Sequence, residues 1–357
     1  MNASYQEGIE QMSAALAGGN FAQALSIAYG ILHISIEKII EGDFELAHRA
    51  CRALVAADPG FHHASYLLSV AAAALGLSAE AEAARAAALA GAPQLAPFYD
   101  HLAARRGAIR RFIPQIKCEV VADCQYDCPL CAHGDLRQGD IAYQLTLEQL
   151  RAFLTATLDS GYLIGQLAIH GSGEPLLWKQ LGAGLAEIKR SGAVCWTWIT
   201  SNGLLLHRLN EQELALIDCM DISLYQENKK AEGIREIVAA HQRKLFIVAM
   251  DDFVDVPKKP TGPSPVPCPC TCAGPMLAGD RVYLYCGPPV FGAGKLLKRN
   301  PETDLSLWSK VGPGYLERSR NLIGRLDYCA WCWANGHHQN RARRLSQKTT
   351  GGGWKGK

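Results

Sequence analysis

The 357-residue sequence contains no apolar run near the ~18 residues needed to cross a bilayer. Its first residues, MNASYQEGIE, lack a basic stretch followed by an apolar one, so no secretory leader is read there. Neither sign of charge dominates: 36 Lys and Arg stand against 34 Asp and Glu, for a net charge of +2. These charges are scattered, and they form no basic stripe of the kind that neutralises a phosphate backbone or an anionic membrane surface. The expectation is a cytoplasmic protein with neither nucleic acid nor membrane as a partner.

Cysteine is what the sequence has in excess, 13 in all. In a reducing compartment such a number points to metal or catalysis rather than to disulfides. Cys51, Cys195 and Cys219 stand alone in apolar stretches and read as small buried hydrophobes. The remainder fall into three groups, and the length of the chain leads us to expect two or three domains.

Residues 1–105 are rich in Ala and Leu without strand-type alternation, so they read as helices. They also repeat: Gly42 with Ala47 recurs as Gly76 with Ala81, and Asp58-Pro59 as Ala92-Pro93, each after 34 residues. GNFAQAL from Gly19 parallels GDFELAH from Gly42, with a gap of 23 residues that breaks the period. A period of 34 residues resembles the tetratricopeptide (TPR) repeat, the alternative being an ordinary helical bundle.

From residue 114 short apolar runs alternate with amphipathic helices, as in βαβ units. Strands are predicted at 116–122, 165–171, 193–200, 220–225 and 244–250, and helices near 146–159, 179–190, 210–217 and 229–242. Right-handed crossovers would curl these units into an open α/β partial (β/α) barrel with function at the C-terminal strand ends. Residues 255–270 carry too much Pro for helix or strand and read as a linker. A Cys-rich piece with a hairpin around GDRVYLYCG follows, then a tail ending KTTGGGWKGK.

Cys124, Cys128 and Cys131 form a CxxxCxxC loop directly after the first predicted barrel strand. Three thiolates can hold three irons of a 4Fe–4S cube and leave the fourth open. A zinc site completed by His133 or Cys118 is the alternative. Gly171-Ser172-Gly173-Glu174-Pro175 ends the second strand, Thr200-Ser201-Asn202-Gly203 the third, and Ser223 the fourth.

In this order the motifs resemble those of the radical S-adenosylmethionine (radical SAM) superfamily. The resemblance implies a 4Fe–4S cluster on Cys124, Cys128 and Cys131 whose open iron binds S-adenosylmethionine (SAM), with reductive cleavage to a 5′-deoxyadenosyl radical that abstracts hydrogen from a substrate. It further implies that Gly171, Ser172, Gly173 and Glu174 receive the ammonium of the methionine moiety. Ser201 and Asn202 would bond the carboxylate or ribose, and Ser223 the ribose. Two departures are Leu130, where the family usually has an aromatic residue, and Ser172, where it has Gly.

Cys272, the hairpin with Cys286, and Cys329-x2-Cys332 suit a four-cysteine zinc site or a saturated 4Fe–4S cluster. Beside such a barrel their order resembles the Twitch domain, the shorter relative of SPASM domains, and so implies an auxiliary 4Fe–4S cluster. Cys268 and Cys270 stay unassigned. The expected organisation is a TPR-like helical module at 1–105, the radical SAM barrel at 114–255, a Twitch/SPASM-like Cys-rich α+β cap at 268–335 and a flexible tail at 336–357. The expected substrate is a peptide or protein, with the helical module as its possible holder, and flavodoxin or ferredoxin as electron donor. Oxidation, epimerisation and cross-linking all remain open, and no catalytic side chain is singled out. Two alternatives stand beside this reading: a dehydrogenase or epimerase of a carbohydrate-like molecule, and a non-catalytic zinc-binding TPR adaptor.

Overall fold

The computed structural model describes residues 3–126, 144–171, 173–224, 231–249, 252–254, 275–283, 308–317 and 344–346. Six helices come first: α1 (Ala3–Ala17), α2 (Phe21–Glu41), α3 (Phe44–Ala57), α4 (His62–Ala74), α5 (Ser78–Gly91) and α6 (Ala96–Arg105). The parallel between GNFAQAL and GDFELAH has a local cause. Gly19 and Gly42 take left-handed φ values of 72° and 88°, which glycine adopts without a Cβ penalty. The next residues, Asn20 and Asp43, cap the helices that follow by accepting from Gln23 N and Leu46 N, each at 3.2 Å. Gly76, at φ 76°, makes the same turn between α4 and α5, with no side-chain cap after it.

The helices give way to four strand–helix units and a fifth strand: β1 (Arg111–Glu119), α7 (Leu147–Asp159), β2 (Tyr162–Ile169), α8 (Leu181–Ser191), β3 (Val194–Ser201), α9 (Glu211–Leu216), β4 (Cys219–Leu224), α10 (Ala231–Ala240) and β5 (Leu245–Ala249). Thr146 and Asn210 begin α7 and α9 with reciprocal capping boxes to Gln149 and Glu213. Short strands follow: β6 (Asp252–Val254), β7 (Met276–Ala278), β8 (Arg281–Tyr283), β9 (Trp308–Lys310) and β10 (Arg344–Ser346).

An eight-stranded sheet runs β5-β4-β3-β2-β1-β7-β8-β9, and β6 pairs with β10. Pairing from β7 through to β5 is parallel, while β7–β8 and β8–β9 are antiparallel. The predicted strands and helices of this region are all present. β1 starts earlier than expected, at Arg111 rather than 116, because Pro114 is accommodated inside it. The hairpin also differs in place: it turns at Gly279-Asp280 as predicted, yet β7 pairs with Lys117–Glu119 of β1 and so extends the main sheet. Among the described residues no helix is long and apolar enough to cross a membrane.

One core lies between the sheet and helices α7 to α10. A second joins the first six helices to the sheet, since Leu163 of β2 and Cys195 and Trp196 of β3 belong to it. Tyr29 of α2 stacks on Trp196 with ring centroids 4.6 Å apart. Cys51, Cys195 and Cys219 are buried, as their apolar surroundings implied.

A buried polar cluster sits at this junction and has no signal in the sequence. Asp218, just before β4, accepts from Lys189 of α8, from Thr197 N at 2.7 Å and from Thr197 Oγ1 at 3.0 Å. His63 of α4 approaches the same carboxylate at 3.5 Å through Nε2, and its Nδ1 lies 2.9 Å from the Tyr99 hydroxyl of α6. Tyr99 in turn meets Cys195 Sγ at 3.3 Å.

Candidate functional site

β1, β2 and β3 are parallel, so the segments that follow them emerge at one end of the sheet. Cys124 lies in the first of these segments, half-buried, while Cys128 and Cys131 lie outside the described residues. Asp123 Oδ1 accepts the Cys124 N–H at 2.9 Å. The Cys124 sulfur receives Tyr126 N at 3.4 Å and Asn202 Nδ2 at 3.8 Å. The same Asn202 amide donates to Gln125 Oε1 at 3.1 Å.

The loop after β2 lies directly on this segment. A Cβ on Gly173 would fall 2.1 Å from Val121 O and 2.6 Å from Asp123 O, and Glu174 N donates to Asp123 O at 2.7 Å. A Cβ on Gly171 would fall 2.6 Å from Cγ of Glu119, a buried residue at the end of β1. Gly173→Ala is therefore expected to force the two segments apart and to destabilise the protein by about 1–3 kcal/mol. Urea unfolding reads this directly, and an unchanged midpoint would show that the contact is not held in solution. Ser172 lies outside the described residues.

Glu174 is only 3% exposed and joins the second loop to the third. Its Oε1 accepts from the Ser201 hydroxyl at 2.7 Å and from Leu176 N at 3.0 Å, and its Oε2 from Asn202 N at 2.8 Å. Burial pushes the carboxyl above the usual carboxylate range, and these three donors pull it back only in part. The Ser201 oxygen also accepts Gly203 N at 3.0 Å, and Asn202 Oδ1 accepts Leu204 N at 3.0 Å.

Ser223, near the end of β4, makes no side-chain hydrogen bond among the described residues. Two positions earlier, Asp221 accepts from Trp198 Nε1 at 2.8 Å, and burial pushes its carboxyl up despite that bond. The site thus brings together Cys124, Gly171, Gly173, Glu174, Ser201 and Asn202. Sequence reasoning missed Glu119, Gln125 and Asp123; the last two sit beside Cys124, and only their spacing from it offered a signal. Cys118 is buried in the core, where burial pushes its thiol far up. Among the described residues no three metal-ligating side chains form a group. Cys268, Cys270, Cys272, Cys286, Cys329 and Cys332, like His133, lie outside the described residues.

No family model and no curated protein matches the sequence. Among solved structures, likeness is found to BtrN in complex with AdoMet and 2-DOIA, at 16% identity and a TM-score of 0.41, over 61% of this chain and 85% of that one. Selenomethionine BtrN in an open conformation gives 16% and 0.39, over 62% and 93%. A Thermobaculum terrenum O-GlcNAc transferase mutant gives 13% and 0.19, over 74% and 61%. Scores at this level leave the chemistry of the site to its own residues.

Proposed function

We propose that this chain is a radical SAM enzyme in which Cys124, Cys128 and Cys131 hold a 4Fe–4S cluster beyond the C-terminal end of β1. When bound, that cluster supplies the electron for reductive cleavage of SAM to a 5′-deoxyadenosyl radical, which takes a hydrogen atom from a peptide or peptide-like substrate. The reading is supported above all by the meeting of three loops, each singled out by its motif, around one half-buried cysteine. The residues fit such a group. The Cys124 sulfur is reachable and already faces two N–H donors, which stabilise the thiolate a metal requires.

In this proposal the Gly171–Glu174 loop takes the methionine moiety. A carboxylate offers about four acceptor positions, and Glu174 has three of them engaged within the protein. It therefore contributes charge and one remaining position, while its main task is to hold the loops. Of Ser201, Asn202 and Ser223, the last has its hydroxyl free among the described residues and is assigned to the ribose. Cys272, Cys286, Cys329 and Cys332 are assigned to an auxiliary 4Fe–4S cluster, and the helical module to holding a peptide or protein partner.

Iron and sulfide analysis of anaerobically purified protein, with SAM cleavage under dithionite, tests the proposal. About eight irons per chain are expected for two clusters, together with 5′-deoxyadenosine. Protein that holds zinc without iron or sulfide would overturn it.

A further inference from the structure

We infer that Asn202 is a positioning residue for the Cys124 sulfur rather than a direct contact of SAM, and that its amide N–H raises the potential at which the cluster on this loop is reduced. This rests on the proposed cluster and goes beyond it in assigning a residue that tunes it.

The orientation of the Asn202 amide is fixed by its partners. Oδ1 accepts the Leu204 N–H at 3.0 Å, so Nδ2 must face the 124–126 segment. There one N–H is taken by Gln125 Oε1 at 3.1 Å and the other reaches Cys124 Sγ at 3.8 Å. The backbone is held as firmly, because Asn202 N donates to the buried Glu174 carboxylate at 2.8 Å. The residue is 7% exposed, and both of its N–H groups are directed at the cysteine loop. None is left to meet the carboxylate of a cofactor.

A thiolate sulfur carries the negative charge that such donors stabilise. Hydrogen bonds to the sulfurs of an iron–sulfur cluster are among the levers that set its potential, and partners behind the ligands commonly orient and tune them. Tyr126 N, at 3.4 Å, is a second donor to the same sulfur, but it belongs to the cysteine loop itself. Asn202 comes from the loop after β3, so it ties the electronic state of the metal group to a different strand.

The test is a reductive titration of the reconstituted protein without SAM, followed by electron paramagnetic resonance. The relevant signal is identified by its loss in Cys124→Ala. Asn202→Ala is expected to retain wild-type iron and to lower the reduction equilibrium constant about tenfold, which is about 59 mV for one electron. Asn202→Asp keeps the acceptor for Leu204 N and is expected to shift the midpoint in the same direction. A midpoint equal to that of the wild type in both variants, with weakened SAM binding, would overturn the inference and return Asn202 to the cofactor. Wild-type protein with no reducible iron would instead overturn the cluster reading itself. Should Asn202→Ala fold poorly, Asn202→Leu, close to Asn in size and without the N–H donor or an added charge, carries the decision by the same midpoint measurement.

Discussion

Cys124→Ala is expected to reduce 5′-deoxyadenosine formation below detection and to remove about four irons per chain. Three thiolates hold a cube with one open corner, and two do not keep it there against competing thiols and water. The substitution also removes the sulfur on which Tyr126 N and Asn202 Nδ2 converge. Chromatography of anaerobic reactions quenched after reduction with dithionite checks the product, and colorimetric iron analysis checks the metal. Cys51→Ala supplies the contrast. Cys51 is fully buried in α3, and burial pushes its thiol up to about 12 despite the neighbouring Ser35 hydroxyl, so its loss should leave product formation unchanged. Product formation by Cys124→Ala at the wild-type rate would end the enzymatic assignment.

Asp218→Ala is expected to cost about 3–5 kcal/mol of stability, because it strands a buried ammonium. Lys189 and Asp218 have side chains only 5% and 8% exposed, and the Thr197 N–H and hydroxyl lose their acceptor as well. Burial alone would push the Asp218 carboxyl up, yet Lys189 and His63 together hold it well below the usual range. Burial likewise pushes the His63 imidazole down, against the pull of Asp218. Both shifts have the same sign for stability. A lowered His pKa means that, as pH falls below about 6.5, the unfolded chain takes up a proton that the folded chain refuses, so stability is full above that pH and declines below it. Asp218 adds a further loss on passing below about pH 3.9. Urea unfolding at pH 7.5 and pH 5.5 should show the decline in the wild type and a flatter response in His63→Gln. A loss under about 1 kcal/mol for Asp218→Ala would mean that water reaches Lys189.

Much of the sheet was legible because its parallel strands are continuous apolar runs between amphipathic helices. The missed start of β1 has a specific cause. Pro114 lacks an N–H and normally argues against a strand interior, but among the described residues β1 is paired at that point only with β2. The loops of the site were legible from the order of their motifs. What they do to one another was not: that Glu174 reaches Ser201 and Asn202 depends on β2 lying beside β3, which no local pattern states. The cluster of His63, Lys189 and Asp218 was invisible for the same reason, since α4, α8 and the residue before β4 are far apart in the sequence and meet only through tertiary packing.

The flanking of β1 on both sides has a mechanical meaning. Near its end, Lys117 and Cys118 are laced to β2 along one edge and to β7 along the other. A ribbon gripped on both edges cannot creep by one residue without turning every side chain to the opposite face. The segment that carries Cys124 therefore springs from a fixed post.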